Sequence, residues 1–328
     1  MTLPQFLSSL ILLAVVFAGT SVSARELHPV KISSGHPVIL DKDGTVWMQR
    51  VAEVFHRGWL RIGNLTDIVD IQAKGSLSLG AALARDGTVH YWKYVYELGW
   101  GGMPDIPEYL QPPLRRLKGR YTALGSSAGN YLYALDEAGN VTVWGWTGKP
   151  ITFTPSGKVR KIAGGTTPWA KVYAQITYFF LLYDDGRLDA CAIENGKVSC
   201  GRPLPPFPRP VVDIDVYWQL AAQLDDNSVI VVDFKGGRPA QRWQGRDIRR
   251  LCNNGDIWVQ DGPTEIVNLH NFPDIGSWPP SHITTGEWIT EVIDMSCHLN
   301  AVVLGKNGIL AWANAASARV NPINLTTD

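Results

Sequence analysis

Seven times between residues 38 and 314 the chain repeats one pattern: a short apolar strand, a turn of Asp, Asn or Gly, and a second β-rich strand. The copies are VILDKDGTVWM (38–48), ALARDGTVHYW (82–92), YALDEAGNVTVWGW (133–146), FLLYDDGRLDACAI (180–193), AAQLDDNSVIVVDF (221–234), WVQDGPTEIVNL (258–269) and AVVLGKNGILAWAN (301–314). Their turn residues Gly44, Gly87, Gly139, Gly186, Asn227, Gly262 and Gly308 lie 43, 52, 47, 41, 35 and 46 residues apart. That period fits a four-stranded unit that cannot bury its own apolar face and must stack on copies of itself. Asp-Gly and Asn-Gly accept the positive φ angles of a tight hairpin, and the β-branched and aromatic residues that follow suit a pleated surface. Further apolar strands are expected upstream of the hairpins at 68–71, 114–117, 159–162, 211–214, 247–251 and 292–295. Seven such units closed in a ring bury their faces and leave no long unprotected edge. The expected fold is therefore all-β, a seven-bladed β-propeller forming one domain over residues 25–328. Two closures fit equally: the strand near Val30 or the one near Val320 completes the last blade.

Composition narrows the functional classes. Lys+Arg and Asp+Glu balance at 30 each, whereas binding to a phosphate backbone needs an excess of cations to displace counterions. No nucleic-acid partner is expected. The first 24 residues read as a signal peptide: Phe6 to Ala18 is apolar, Val22-Ser23-Ala24 supplies small residues before a cleavage point, and no charged side chain appears until Arg25. The n-region lacks Lys and Arg, a departure from the usual pattern. The apolar run is shorter than the roughly 20 residues of a membrane helix, so the expectation is a secreted or periplasmic protein with no membrane span.

The repeats resemble the RCC1 family. YALDEAGNVTVWG fits best, with Trp144-Gly145 where that family ends a strand in Trp-Gly. Trp92 takes the equivalent place in the second copy, and Trp312 lies one position short of it in the seventh. GHPVIL (35–40) is similar to the family's Gly-x-x-His-x-Leu-x-Leu stretch, with His one place early, and ELGWGG (97–102) to its Gly-Gln-Leu-Gly-x-Gly connection. The resemblance spans about residues 30–320, and the fifth and sixth copies keep only the pattern. It implies a seven-bladed scaffold, similar in architecture to the secreted bacterial RCC1-like β-lactamase inhibitors, whose loop aromatics on one face grip an enzyme.

Four cysteines in an exported chain favour disulfides over metal ligation. Asn195-Gly196 reads as a two-residue turn, and counting outward pairs Glu194 with Lys197, Ile193 with Val198, Ala192 with Ser199 and Cys191 with Cys200. Cys252 and Cys297 follow equivalent strands of neighbouring repeats, so a bridge between them staples the sixth blade to the seventh. No metal site and no cofactor are expected.

No nucleophile elbow, Walker loop, HExxH or dinucleotide fingerprint occurs. Asp184-Asp185 and Asp225-Asp226 sit where every repeat places polar turn residues, so turn chemistry accounts for them. What stands out is the aromatic content of connections assigned between the first and second strands: Trp169, Tyr173, Tyr217, Trp218, Trp258 and Tyr131, with His36 and His298. Equivalent loops of a propeller emerge on one face, and Trp and Tyr are enriched in binding hot spots. The expectation is a monomeric, non-catalytic protein that binds a protein partner through one face, with enzyme inhibition as one form of that binding. A glycan-binding propeller and a propeller glycosidase or lyase are the alternatives; the latter needs two carboxylates converging at the channel mouth.

Overall fold

The computed structural model describes residues 25–33, 38–52, 55–73, 79–93, 114–127, 131–146, 148–165, 177–217, 219–233, 241–253, 256–269, 280–297, 301–314 and 319–327. The signal-like segment 1–24 lies outside them, as do His36, the 97–102 stretch, Trp169, Tyr173, Trp218 and His298.

The described residues form 28 strands in seven consecutive antiparallel units of four. Blade one holds β1 to β4 (Pro29–Ser33, Val38–Asp41, Val46–Ala52, Phe55–Arg61), and blade two β5 to β8 (Ile68–Ala73, Leu79–Ala84, Val89–Lys93, Arg115–Leu117). Blade three is β9 to β12 (Tyr121–Ser127, Tyr131–Asp136, Val141–Gly145, Ile151–Phe153), and blade four β13 to β16 (Val159–Gly164, Thr177–Tyr183, Leu188–Glu194, Lys197–Arg202). Blade five is β17 to β20 (Val211–Val216, Gln219–Leu224, Ser228–Asp233, Gln241–Gln244), and blade six β21 to β24 (Ile248–Asn253, Ile257–Asp261, Glu265–Asn268, Ser281–Thr284). Blade seven is β25 to β28 (Val292–Cys297, Ala301–Gly305, Leu310–Asn314, Arg319–Pro322). The expected seven-bladed propeller is therefore present. One strand assignment changes: LRRL is not the inner strand of blade three. Arg115–Leu117 is the outer strand of blade two, pairing with β7, and the inner strand of blade three is Tyr121–Ser127. The Arg-Arg-Leu run imitates an inner strand in sequence, yet it precedes the chain's step to the next blade.

Burial follows strand position. The second strands are buried on both sides: LGAALA (79–84) and QLAAQL (219–224) are buried throughout. Outer strands such as KVSCGR (197–202) and RVNP (319–322) are mostly exposed. The core divides into seven apolar clusters, one between each neighbouring pair of blades. Trp92 fills the blade one–two cluster and Trp144 the blade two–three cluster, both fully buried. Trp47 and Trp312 pack against the cluster joining blades seven and one.

The Asp-Gly turns also join blades. Gly44, at φ 79°, accepts the Ile68 amide of blade two through its carbonyl (3.1 Å), and Gly87, at φ 85°, accepts the Tyr121 amide of blade three (2.9 Å). A Cβ on Gly44 would lie 3.0 Å from the Asp67 nitrogen. The Asp before the Gly bonds the backbone amide two residues on, as in Asp43 to Thr45 (3.0 Å) and Asp185 to Arg187 (3.0 Å). Asp226 does the same for Ser228 (3.1 Å), so these carboxylates hold turns, as expected.

Ring closure is resolved. Val30 lies in the inner strand of blade one and Val320 in the outer strand of blade seven, which Val320 thus helps complete. The terminal segments then clasp each other. Leu27 donates to the Leu325 carbonyl (3.0 Å), Thr327 to that of Arg25 (2.9 Å), and the Trp59 indole to that of Asn324 (2.8 Å). The Arg25 guanidinium reaches Asp41 and Asp43. Burial pushes the Asp43 carboxyl up, but Thr45 and Arg25 outweigh it and bring it down to about 2.

Both expected disulfides are present. Cys191 and Cys200 are directly opposite on β15 and β16 (Cα–Cα 4.0 Å), around an Asn195-Gly196 turn with φ of 50° and 72°. Cys252–Cys297 joins blade six to blade seven (Cα–Cα 6.0 Å).

Three measurements check this scaffold. Gly44→Ala is expected to destabilise by more than Gly139→Ala, whose φ is similar but whose Cβ would meet nothing within 4 Å; chemical denaturation should show about 1–2 kcal/mol for the latter. Removing Cys252–Cys297, which closes 45 residues, should cost about 4 kcal/mol, against about 2.5 kcal/mol for Cys191–Cys200, which closes 9. Asp43 is depressed in the folded state, so its contribution is complete above its ordinary carboxylate range and disappears as pH falls from about 4 to about 2. A wild-type acid-unfolding curve should carry that component, and an Asp43→Asn curve should lack it.

Candidate functional site: the loop end and the channel of the propeller

Strand direction alternates within each blade, so the connections from first to second strand and from third to fourth leave one end of the ring. The second-to-third hairpins and the blade-to-blade links leave the other. The two ends differ in kind. Hairpins at the second end are nearly uniform, spanning 42–45, 85–88, 137–140, 184–187, 225–227, 262–264 and 306–309. At the first end the connections range from 53–54 and 217–218 to 94–114, 165–176 and 269–280. Length variation on a constant frame is how scaffolds change function without changing fold.

Of the aromatic residues expected at the loop end, two are described there. Tyr131 opens β10 and Tyr217 follows β17; both are half-buried, and burial raises the Tyr217 phenol above its ordinary value. Trp258 is a correction. It is the second residue of β22, fully buried, opposite Cys252 and within the blade six–seven core. Its neighbours in sequence misled because the preceding connection, at 254–256, is short and the indole belongs to the strand. Trp146 went unnoticed in the sequence. It follows β11 at the loop end, with the Arg115 guanidinium 3.9 Å above its ring and bonded to its carbonyl (2.9 Å). Tyr91 meets it edge-on at 6.2 Å. An indole stacked under the guanidinium that also holds its own backbone carbonyl is a preorganised aromatic platform.

The channel is the second candidate. In all seven blades the register between the first two strands shifts at one place, after the first residue of the inner strand. Such bulges re-aim the side chains that follow. The third residue of six inner strands is charged and half-buried: Lys31, Asp70, Lys161, Asp213, Arg250 and Asp294. Each carboxylate is engaged. Asp70, Asp213 and Asp294 accept the next residue's amide (2.8, 2.8 and 2.9 Å) and face Lys31, Lys161 and Arg250 respectively. Burial pulls the Lys161 ammonium down, but Asp213 and Asp215 outweigh it and leave it raised. Asp294 is raised because burial exceeds the opposing pull of the Ile32 amide, Lys31 and Arg250. Deeper in, Asp215 accepts the amides of Val216 (3.0 Å) and, across the blade boundary, Asn253 (2.7 Å). Among the described residues no three His, Cys, Asp or Glu side chains converge as a metal site would need, and no helix is long and apolar enough to cross a membrane.

These features define the class: a seven-bladed β-propeller with hairpins of near-constant length at one end and connections of widely different length at the other. Comparison with solved structures agrees on the fold. The structure of human WBSCR16 superposes with a TM-score of 0.57 at 12% identity, covering 85% of this chain and 86% of that one. PorZ, an essential bacterial surface component of the type-IX secretion system of Porphyromonas gingivalis, gives 0.56 at 12% identity; the match covers 92% of this chain but 39% of PorZ. BBS1N, solved in complex with ARL6DN, gives 0.54 at 14% identity, with 84% of each chain covered. No family model matches the sequence, and no curated protein matches it. At such identities the likeness is one of fold alone.

Proposed function

We propose that the protein is a secreted, non-catalytic, RCC1-like propeller that binds a protein partner through the variable end, with enzyme inhibition as the form of binding. The observation that carries this reading is the contrast between the two ends: uniform hairpins on one, connections of widely different length on the other. The variable end presents Tyr131, Tyr217 and the Arg115-stacked Trp146, and the sequence adds Trp169, Tyr173 and Trp218 to its connections. Two disulfides and a signal-like leader support export. A non-catalytic role is supported by the channel and turn carboxylates, which already hold backbone amides, cations or both.

The test is a pull-down from the native extracellular milieu with three baits. They are the wild type, a Trp169→Ala/Tyr217→Ala/Trp218→Ala variant, and Trp288→Ala, which removes an indole 44% exposed at the opposite end. The triple variant is expected to lose at least tenfold in partner recovery, the scale of hot-spot truncation, while Trp288→Ala matches wild type. Equal recovery by all three would refute the binding end, and capture of glycans in place of protein would refute the partner class.

A further inference from the structure

The third position of the inner strands, directly after the bulge, read around the channel from blade one to blade seven, is occupied by Lys31, Asp70, Ala123, Lys161, Asp213, Arg250 and Asp294. Signs alternate without exception, with one neutral member. Lys31 contacts Asp70 of the next blade; Lys161 contacts Asp213 at 2.6 Å; Arg250 lies 3.9 Å from Asp294. Asp294 closes the circle by accepting the blade-one amide of Ile32 at 2.9 Å, beside Lys31.

We propose that these residues form one alternating charge ring that acts as an inter-blade clasp around the channel. Parity explains the neutral member. Charges can alternate around a closed ring only if their number is even, and seven blades leave one position without a compatible sign. That position is Ala123, between Asp70 and Lys161. A Lys there would face Lys161, and an Asp would face Asp70. Ala123 leaves two boundaries without an ion pair at this position, and one of them is joined differently. Blades three and four are the pair fused into a single eight-stranded sheet, through parallel pairing of Ser126 with Ala163 and Ser127 with Gly164. Small residues permit that approach, since a Cβ on Gly125 would lie 2.7 Å from Ile162. At the boundary between blades three and four, main-chain pairing stands where a side-chain ion pair is absent.

A ring differs from three separate ion pairs in how substitutions combine. In the wild type, Arg250→Gln is expected to lower Tm by about 5 °C or more, since it leaves Asp294 with less compensation. In a Lys161→Asp/Asp213→Lys background the new lysine faces Arg250, so Arg250→Gln there is expected to raise Tm. Thermal unfolding of these four proteins decides the matter. A swapped pair with wild-type Tm, or an Arg250→Gln loss of equal size in both backgrounds, would show separate pairs and overturn the ring. If the swapped protein does not fold, Ala123 provides the same test. Ala123→Lys and Ala123→Asp are both expected to lower Tm, and a rise for either would overturn the parity argument.

Discussion

Everything in this molecule depends on burying both faces of every sheet against another sheet. A single four-stranded blade has a second strand such as Leu79–Ala84 that is apolar on both sides, and no blade can cover itself. Stacking blade on blade solves this only if the last meets the first, because an open stack would leave two large apolar faces in water. The seven inter-blade clusters are the direct expression of that requirement. Closure therefore involves the termini, and the Arg25–His28 and Ile323–Thr327 segments bind each other across the boundary between blades seven and one.

The boundaries are built from the same positions with different chemistry. The fifth residue of an inner strand meets the sixth of the next blade. Ser33 bonds the Ala73 amide (2.6 Å), Asp215 the Asn253 amide (2.7 Å), and Cys252 makes a covalent bond with Cys297. Blades three and four instead approach closely enough for main-chain pairing. A disulfide, a carboxylate and a hydroxyl are thus interchangeable answers to one geometric question, set by the repeat.

A rigid ring also separates labour between its ends. Where hairpins must touch the next blade, as Gly44 and Gly87 do, their length and residue type are constrained. Connections at the other end differ widely in length.

By itself the sequence determined the blade count, the hairpin register around Asn195-Gly196 and the Cys191–Cys200 pairing, because turn residues and strand alternation are local and recur at a readable period, while the Cys252–Cys297 bridge between blades was settled by the tertiary structure. It misplaced Arg115–Leu117 by one blade and put Trp258 in a loop, because an apolar strand looks the same on either side of a blade boundary and a strand end looks like a loop. The alternating third position was present in the sequence too, as Lys, Asp, Ala, Lys, Asp, Arg and Asp, but only alignment on the common bulge brings those residues into one register. Which strands are neighbours across the channel, how the ring closes at Val30 and Val320, and which aromatics share an end were decided by tertiary structure. Each depends on contacts between residues far apart in the chain, which the burial of blade faces selects and local propensity does not.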